Sequence, residues 1–371
     1  MPLRIAHIDT ERTWRGGEAQ LLHLAIGLSK RGHRQWVVGQ PGSPLLERAG
    51  EGGLETVVLP MPSEFSLPAI WKLSRLLQKQ EIQVVHLHTS HACTLGGLAA
   101  KLASVPVKII SRRVDFSIRS NPFRKLKYGW GTDRIIAISE GVRDVLVRDG
   151  INPEQVVVIR SGIDLSRFDP IIPPELFRKE IGVDSATPVI GNIAHFADHK
   201  GHRYLIEAAG RVLAHIPEAR FVLVGDGELK KSMEEEVARR GLSAAVLFTG
   251  FRTDIPKILA AFDLFVLSSH LEGLCSSIMD AMAMGIAVVA TRTGGIPEVV
   301  EEGGTGLLVP PRDPVALADA ILRLMGDPKR RRQMGQAGRR RVTARFSAES
   351  MVDETEKLYR LILEQKVQGK A

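Results

Sequence analysis

The chain lacks the features that would place it in a membrane or an oxidising compartment. Its 371 residues hold two cysteines, Cys93 and Cys275, far apart and outside any metal-ligand spacing. Neither a disulfide framework nor a zinc site follows from them, and a reducing cytoplasm is the expected setting. No apolar run approaches the roughly 18 residues that a spanning helix needs. The first residues pass straight into the strand-like LRIAHID, so no secretory leader is expected. No low-complexity tract or short-period repeat interrupts the sequence.

What is present suits a soluble globular protein of two domains. A hydrophobic content of 44% and a charged content of 25% are ordinary for a packed protein. The length allows two domains, each with its own core. The net charge of +8 is unevenly spread. Residues 1–165 hold 22 Lys and Arg against 15 Asp and Glu, and the stretch Lys108–Lys127 alone holds seven basic residues against Asp115.

Both halves alternate short apolar runs with amphipathic segments. LRIAHID, RQWVVGQ, TVVLPM, VVHLH, VKIIS, DRIIAIS and VVVIRSG read as strands in the first half. PVIGNIA, RFVLVGDG, AVLFTGF, LFVLSS, AVVATRTGG and GLLVP read as strands in the second. Runs apolar at consecutive positions suit strands buried on both faces, as in a parallel sheet covered by helices. Ser139 is a helix N-cap, Gly32 and Gly150 are stops, and a helix entered through Gly16–Gly17 is expected to begin at Glu18. The basic stretch 328–341 reads as a solvated helix, and Ser347 caps a last amphipathic helix. The fold class is therefore α/β, with two doubly wound Rossmann-like sheets in series and a ligand crevice at the carboxyl ends of their strands.

One segment carries most of the chemistry. In SSHLEGLCSSIMDAMA (268–283) a buried strand ends in a loop holding Glu272 and Gly273, and a helix opens near Ser276. The N–H groups of Leu274, Cys275, Ser276 and Ser277 attract a diphosphate, and Gly273 lets the backbone come close. Glu272 lies before those amides and Asp280 beyond them. The order sugar, diphosphate, ribose of a nucleotide sugar matches that arrangement. A capped helix with two incidental acids is the plainer alternative.

EGLCSSIMD resembles the Glu-x7-Glu signature of family 4 glycosyltransferases, with Asp280 in the place of the second Glu. The resemblance runs through nearly the whole chain and implies the GT-B fold: an acceptor-side domain over 1–165, a donor-binding domain over 166–346, and a helix in 347–371 that crosses back onto the first domain. It implies a retaining transfer of a hexose-type sugar from a UDP-, GDP- or ADP-linked donor to a hydroxyl, with no other cofactor. Glu272 and Lys200 are then the catalytic residues. Gly16, Gly17, Gly273, Asp280, Gly294, Gly295 and Glu298 bind donor with the 274–277 amides. The family's Arg before the Lys-Gly element is replaced by Ala194 and His195, so His195 or Arg252 is a candidate for the missing charge.

On the acceptor side the candidates are His88, Arg112, Arg113 and Asp115. His86, His88 and His91 have spacings of two and three and no acid beside them, which does not suit a metal. A DxD pair is absent, so a metal-free site is expected. Arg119, Arg124, Lys125 and Lys127, mixed with aromatics, suit an anionic membrane surface. The expected partners are a nucleotide sugar, a lipid-linked or lipopolysaccharide glycan and the inner face of the plasma membrane, with no nucleic acid. A nucleotide-sugar 2-epimerase and a non-catalytic nucleotide-sugar-binding protein are the alternatives.

Overall fold

The structure is a computed structural model that describes residues 1–118, 128, 131–168 and 171–368. Arg119, Arg124, Lys125 and Lys127 lie outside the described residues. The chain divides into two compact units, Met1–Ile163 with Ser347–Ala371, and Asp164–Phe346. The division falls after Ile163, where the expected boundary stood after Leu165.

The first unit is built on a parallel sheet of seven strands. They are β1 (Arg4–Ile8), β2 (Arg34–Gly39), β3 (Glu55–Val58), β4 (Val84–Leu87), β5 (Val107–Arg112), β6 (Arg134–Ala137) and β7 (Val156–Val158). The spatial order is β3-β2-β1-β4-β5-β6-β7, so the winding reverses between β1 and β4. Among the described residues it carries the helices α1 (Gly16–Lys30), α2 (Pro44–Glu51), α3 (Leu67–Lys79), α4 (Ser90–Leu102) and α5 (Glu140–Arg148). Ser43, Thr89 and Ser139 accept hydrogen bonds from the first turns of α2, α4 and α5. Each cap satisfies an amide that the helix cannot, which sets where the helix starts.

The second unit repeats the scheme with six parallel strands. They are β8 (Val189–Ile193), β9 (Arg220–Val224), β10 (Val246–Gly250), β11 (Leu264–Leu267), β12 (Val288–Thr291) and β13 (Gly306–Val309), in the order β10-β9-β8-β11-β12-β13. Here the switch lies between β8 and β11. The helices are α6 (Glu175–Glu180), α7 (His202–Leu213), α8 (Lys230–Arg239), α9 (Ile255–Ala260), α10 (Ser276–Ala283), α11 (Ile296–Val299), α12 (Pro314–Met325) and α13 (Pro328–Arg345). One core joins Ile190, Phe221, Leu223, Leu264 and Val266 of the sheet to Leu205 and Val212 of α7 and Leu317 and Ile321 of α12.

α13 departs from the expected solvated helix. Met334, Gly335, Gly338 and Val342 are buried, and a Cβ on Gly335 would lie 1.9 Å from the Gly285 carbonyl. Arg331, Arg339 and Arg341 donate to the carbonyls of Leu324, Ala283 and Val299. These arginines tie off the ends of neighbouring helices, a role that a charge run does not reveal.

The last helix, α14 (Ala348–Gln368), belongs to the first unit. Its Met351, Val352, Leu358, Tyr359 and Ile362 join Leu3, Ile5, Leu24, Leu28, Val84 and Val107 in one core. Gly27 on α1 permits the approach, because a Cβ there would lie 2.5 Å from a Val352 methyl. Fully burying one such aliphatic side chain contributes about 1.5–3 kcal/mol, so this seam holds the helix in place.

Candidate active site

The switch point of the second sheet brings together the loops after β8 and β11. The loop after β8 closes with a single helical turn, Asp198–Lys200, and then Gly201 at φ +67°. A Cβ on Gly201 would stand 2.2 Å from the Ser268 carbonyl, so only glycine lets the two loops meet. Ser268 Oγ donates to the Lys200 and Gly201 carbonyls at 3.2 and 3.0 Å. These contacts deliver Lys200 Nζ to Glu272 Oε2, 2.5 Å away. Ser269 Oγ adds a second donor to the same oxygen at 3.2 Å. Both charged side chains are largely covered, with 17% of Lys200 and 10% of Glu272 exposed, so neither is an ordinary surface charge.

α10 begins at Ser276, as the sequence suggested, with Cys275 at the N-cap and no capping hydrogen bond from the Cys275 side chain. The Cys275 thiol pairs with Ser277 Oγ at 3.2 Å, and burial pushes it up to about 11, so it is no nucleophile. Asp280 lies in the second turn, half-buried, and burial pushes its carboxyl up to about 7. Arg167, in the junction segment, lowers it in part. The turn at 293–295 is fastened to this loop, for Gly295 N–H bonds the carbonyls of Glu272 and Gly273 at 3.3 and 3.0 Å. Thr291 Oγ1 donates to the Ser269 carbonyl and Thr293 Oγ1 to that of His270. Glu272, Gly273, Gly294, Gly295, Glu298 and Lys200 are thus held around one loop junction. Ser268, Ser269, Thr291 and Thr293, which hold it, went unremarked in the sequence. Their signal is a hydroxyl at or just beyond the ends of the buried strands β11 and β12.

The two candidates for the missing cation are placed differently. His195 pairs with Glu228 at 3.2 Å beside the tight turn Gly225–Gly227. Arg252 is bound to both Glu180 and Asp254, and Lys257 joins the same cluster. That network holds α6 against α9 and neutralises the guanidinium locally. Lys200 is the cation that the loops aim at Glu272.

The first sheet places a second polar cluster at its own switch point. Asp9 follows β1, and Thr10 Oγ1 bonds Thr89 Oγ1 at 2.7 Å across to the end of β4. His7 and His86 are register partners on β1 and β4, and His88 follows. Arg113 donates to His88 Nδ1 at 3.1 Å. His88 Nε2–H must then donate to His7 Nδ1 at 3.1 Å, and His7 Nε2–H to Gln35 Oε1 at 2.8 Å. His86 bonds Tyr359 and Ser111 at 2.5 and 2.7 Å. The nitrogens that could ligate a metal lie within 4.8 Å of one another, yet those of His7 and His88 are engaged in this chain beside a guanidinium and those of His86 bond Tyr359 and Ser111. Burial holds His7 down to about 4, and His86 and His88 well below the usual range. The sequence grouped His91 with His86 and His88, but His91, on α4, faces Glu64, and His7 takes its place.

α1 begins at Gly16, two residues earlier than expected, so both glycines lie inside its first turn. Glu18 Oε2 accepts from Arg15 N–H at 2.7 Å, so the helix supplies its own anion there. Burial and the neighbouring Glu18 push Asp9 up to about 7, and Asp9 Oδ2 has no hydrogen-bond partner. Gly17 lies against Arg113, 3.7 Å from Cδ to where a Cβ would be. Arg112 turns the other way and donates to Tyr128 and the Phe116 carbonyl at 2.9 and 2.6 Å. Arg112 is the last residue of β5 and Arg113 the first beyond it, and their side chains turn apart, so only Arg113 joins His88. Asp115 is half-buried in the loop that Arg112 anchors.

Comparison with known proteins meets this geometry from outside. Residues 14–167 match Glycosyltransferase Family 4, and residues 174–341 match Glycosyl transferases group 1. The chain is 33% identical to the alpha-maltose-1-phosphate synthase of Mycolicibacterium smegmatis, over 75% of this chain and 79% of that one. It belongs to the family 4 glycosyltransferases. Another family 4 relative is the UDP-Gal:alpha-D-GlcNAc-diphosphoundecaprenol alpha-1,3-galactosyltransferase of Escherichia coli, 29% identical over 79% of each chain. The solved Anabaena HepE, in complex with UDP and glucose, superposes with a TM-score of 0.86 at 23% identity, covering 96% of this chain and 99% of that one. That likeness establishes the GT-B fold of this family 4 enzyme.

Proposed function

We propose that this glycosyltransferase moves a hexose-type sugar from a nucleotide diphosphate donor to a hydroxyl of a lipid-linked cell-envelope glycan, such as a lipopolysaccharide core, with retention and without a metal ion. The observation that carries the reading is the start of α10 behind the β11 loop, with the Lys200–Glu272 pair before it and Asp280 beyond. The bond between the anomeric carbon and the diphosphate breaks, and its electron pair leaves with the phosphate oxygen. Negative charge grows there, where the 274–277 amides and Lys200 stabilise it. The acceptor hydroxyl attacks from the same face and gives its proton to the departing phosphate oxygen, so no covalent nucleophile is assigned. Glu272 binds sugar hydroxyls, and Asp280 the ribose. Gly16 and Gly17 allow backbone approach, while His88 and Arg113 receive the acceptor.

The diphosphoundecaprenol acceptor in the name of the E. coli relative supports a lipid-linked acceptor, and UDP in two of the names supports a UDP-linked donor. The relatives' transferase and synthase names favour transfer over epimerisation. We place the enzyme in the cytoplasm at the inner membrane face. Among the described residues no helix is long and apolar enough to cross a membrane, and contact is therefore peripheral in this reading. The test is a thermal-shift screen of UDP-, GDP- and ADP-sugars, followed by NMR of the product formed on lipid-linked acceptors. A bound donor that yields an inverted anomer, or no acceptor-dependent nucleotide release, would refute the reading.

A further inference from the structure

One face of the first unit is used by neither its sheet nor its polar cluster. α3 buries Ala69, Ile70, Leu73, Ser74 and Leu77 against the unit. Its opposite face opens with large apolar side chains in solvent: Phe65 is 71% exposed, Leu67 75% and Trp71 59%. Leu67 and Trp71 are one helical turn apart, so they share a side. The same face continues with exposed Lys72, Arg75 and Lys79, and the Arg75 guanidinium lies 5.4 Å from the centre of the Trp71 ring. No Asp or Glu occurs from Phe65 to Lys79. The acid just before, Glu64, faces His91 and Thr94.

Apolar side chains grouped at one end of a helix and cations at the other are the pattern of an interfacial element. The charge selects the occupant. A second copy meeting this face would set Lys72, Arg75 and Lys79 against like charges. A nucleic acid would use the cations and leave Phe65 and Leu67 in water. An anionic lipid leaflet serves both ends, with acyl chains for the apolar group and phosphates for the cations. We propose that the solvent face of α3, from Phe65 to Lys79, is the enzyme's membrane-docking element and seats on an anionic leaflet. The proposal rests on the lipid-linked acceptor proposed above and supplies the surface that brings the enzyme to it.

The test is co-sedimentation of the full chain with phosphatidylglycerol-containing vesicles and with pure phosphatidylcholine vesicles. The wild type is expected to bind the anionic vesicles, more weakly at high salt, and to ignore the neutral ones. Leu67→Ser with Trp71→Ser should weaken that partition by about tenfold or more, and Lys72→Glu with Arg75→Glu and Lys79→Glu should remove it. Thermal stability and the donor-induced thermal shift should match wild type in both variants. In vesicles with brominated acyl chains, tryptophan quenching should fall on Trp71→Phe. Equal binding to neutral vesicles, wild-type binding by either multiple variant, or a Trp71-dependent dimer that ignores vesicles would overturn the proposal. Vesicle binding through this face in a protein that binds no donor would leave it standing and fault the donor reading instead.

Discussion

Two helices in this chain open behind the switch point of a parallel sheet, and their first turns are treated in opposite ways. α1 meets its own Glu18, whose carboxylate takes the Arg15 amide at 2.7 Å. At α10 the N-cap side chain, Cys275, makes no capping hydrogen bond, and the Lys200–Glu272 ion pair lies beside the turn. A helix start satisfied from within offers little to an incoming anion. One left open, with a cation alongside, offers amides, dipole and charge together. In the reading proposed above, the unit at α10 stabilises the diphosphate, whereas at α1 Gly16 and Gly17 offer only close backbone approach. The difference lies in a few side chains around the turn and not in the fold.

The sharpest way to break that comparison is to neutralise the carboxylate at each turn. Glu272→Gln is expected to lower kcat by about 100-fold or more, the scale of a lost transition-state contact, with donor affinity nearly kept. Glu18→Gln should cost about 1 kcal/mol of stability as a weakened cap and leave kcat within tenfold. Equal losses of kcat in steady-state assays would erase the distinction. Lys200→Ala should match Glu272→Gln in severity, because it removes the charge and leaves Glu272 without its cation.

Glycine exchange gives the next largest contrast. Gly201→Ala forces a Cβ toward the Ser268 carbonyl at a left-handed φ, and should cost about 1–3 kcal/mol in denaturant unfolding, along with donor binding. Gly17→Ala meets an ordinary 3.7 Å contact, so the fold should tolerate it. A loss of activity there without a loss of stability would show ligand approaching the α1 turn, as the proposed role of Gly16 and Gly17 requires.

Asp280→Asn should raise the donor KM by roughly tenfold or more, from a charged hydrogen-bond acceptor worth about 1.5–3 kcal/mol. Its pH dependence has a definite sign. The folded carboxyl titrates at about 7, above its unfolded value of 3.8, so the stability it contributes is present below about 4 and lost as pH rises toward 7. Asp280→Asn should therefore melt higher than wild type at pH 8 and equal to it at pH 4. A lower melting point at pH 8 would mean that the ionised carboxylate is satisfied within the fold. The smallest expected effect is that of a chelator. EDTA should leave turnover unchanged, and loss restored by magnesium would show that Lys200 and the α10 amides do not carry the charge alone.

Much of this was legible beforehand because it is local. Apolar runs placed the strands named in both halves, and Ser139, Gly32 and Gly150 marked helix ends through their own backbone chemistry. Glu272, Gly273 and Asp280 could be read as one loop and helix because a single short segment carries them. The arginines were less legible. Arg112 and Arg113 are adjacent in sequence yet serve different neighbours, and Arg252 is drawn to Glu180, far along the chain. Arg339 and Arg341 of α13 looked like solvated charge and instead close carbonyls 56 and 42 residues away.

The sequence alone determined the period of each element, their alternation and the spacing of the α10 loop, since these depend on residues within a turn or two of one another. Only the tertiary structure decided which side chains share a site. His7 replaced His91 in the histidine cluster because parallel register sets β1 beside β4. Lys200 reached Glu272 across 72 residues because Gly201 lets two loops touch. Pairing of that kind depends on strand order and close packing over the whole unit, and no local pattern encodes it.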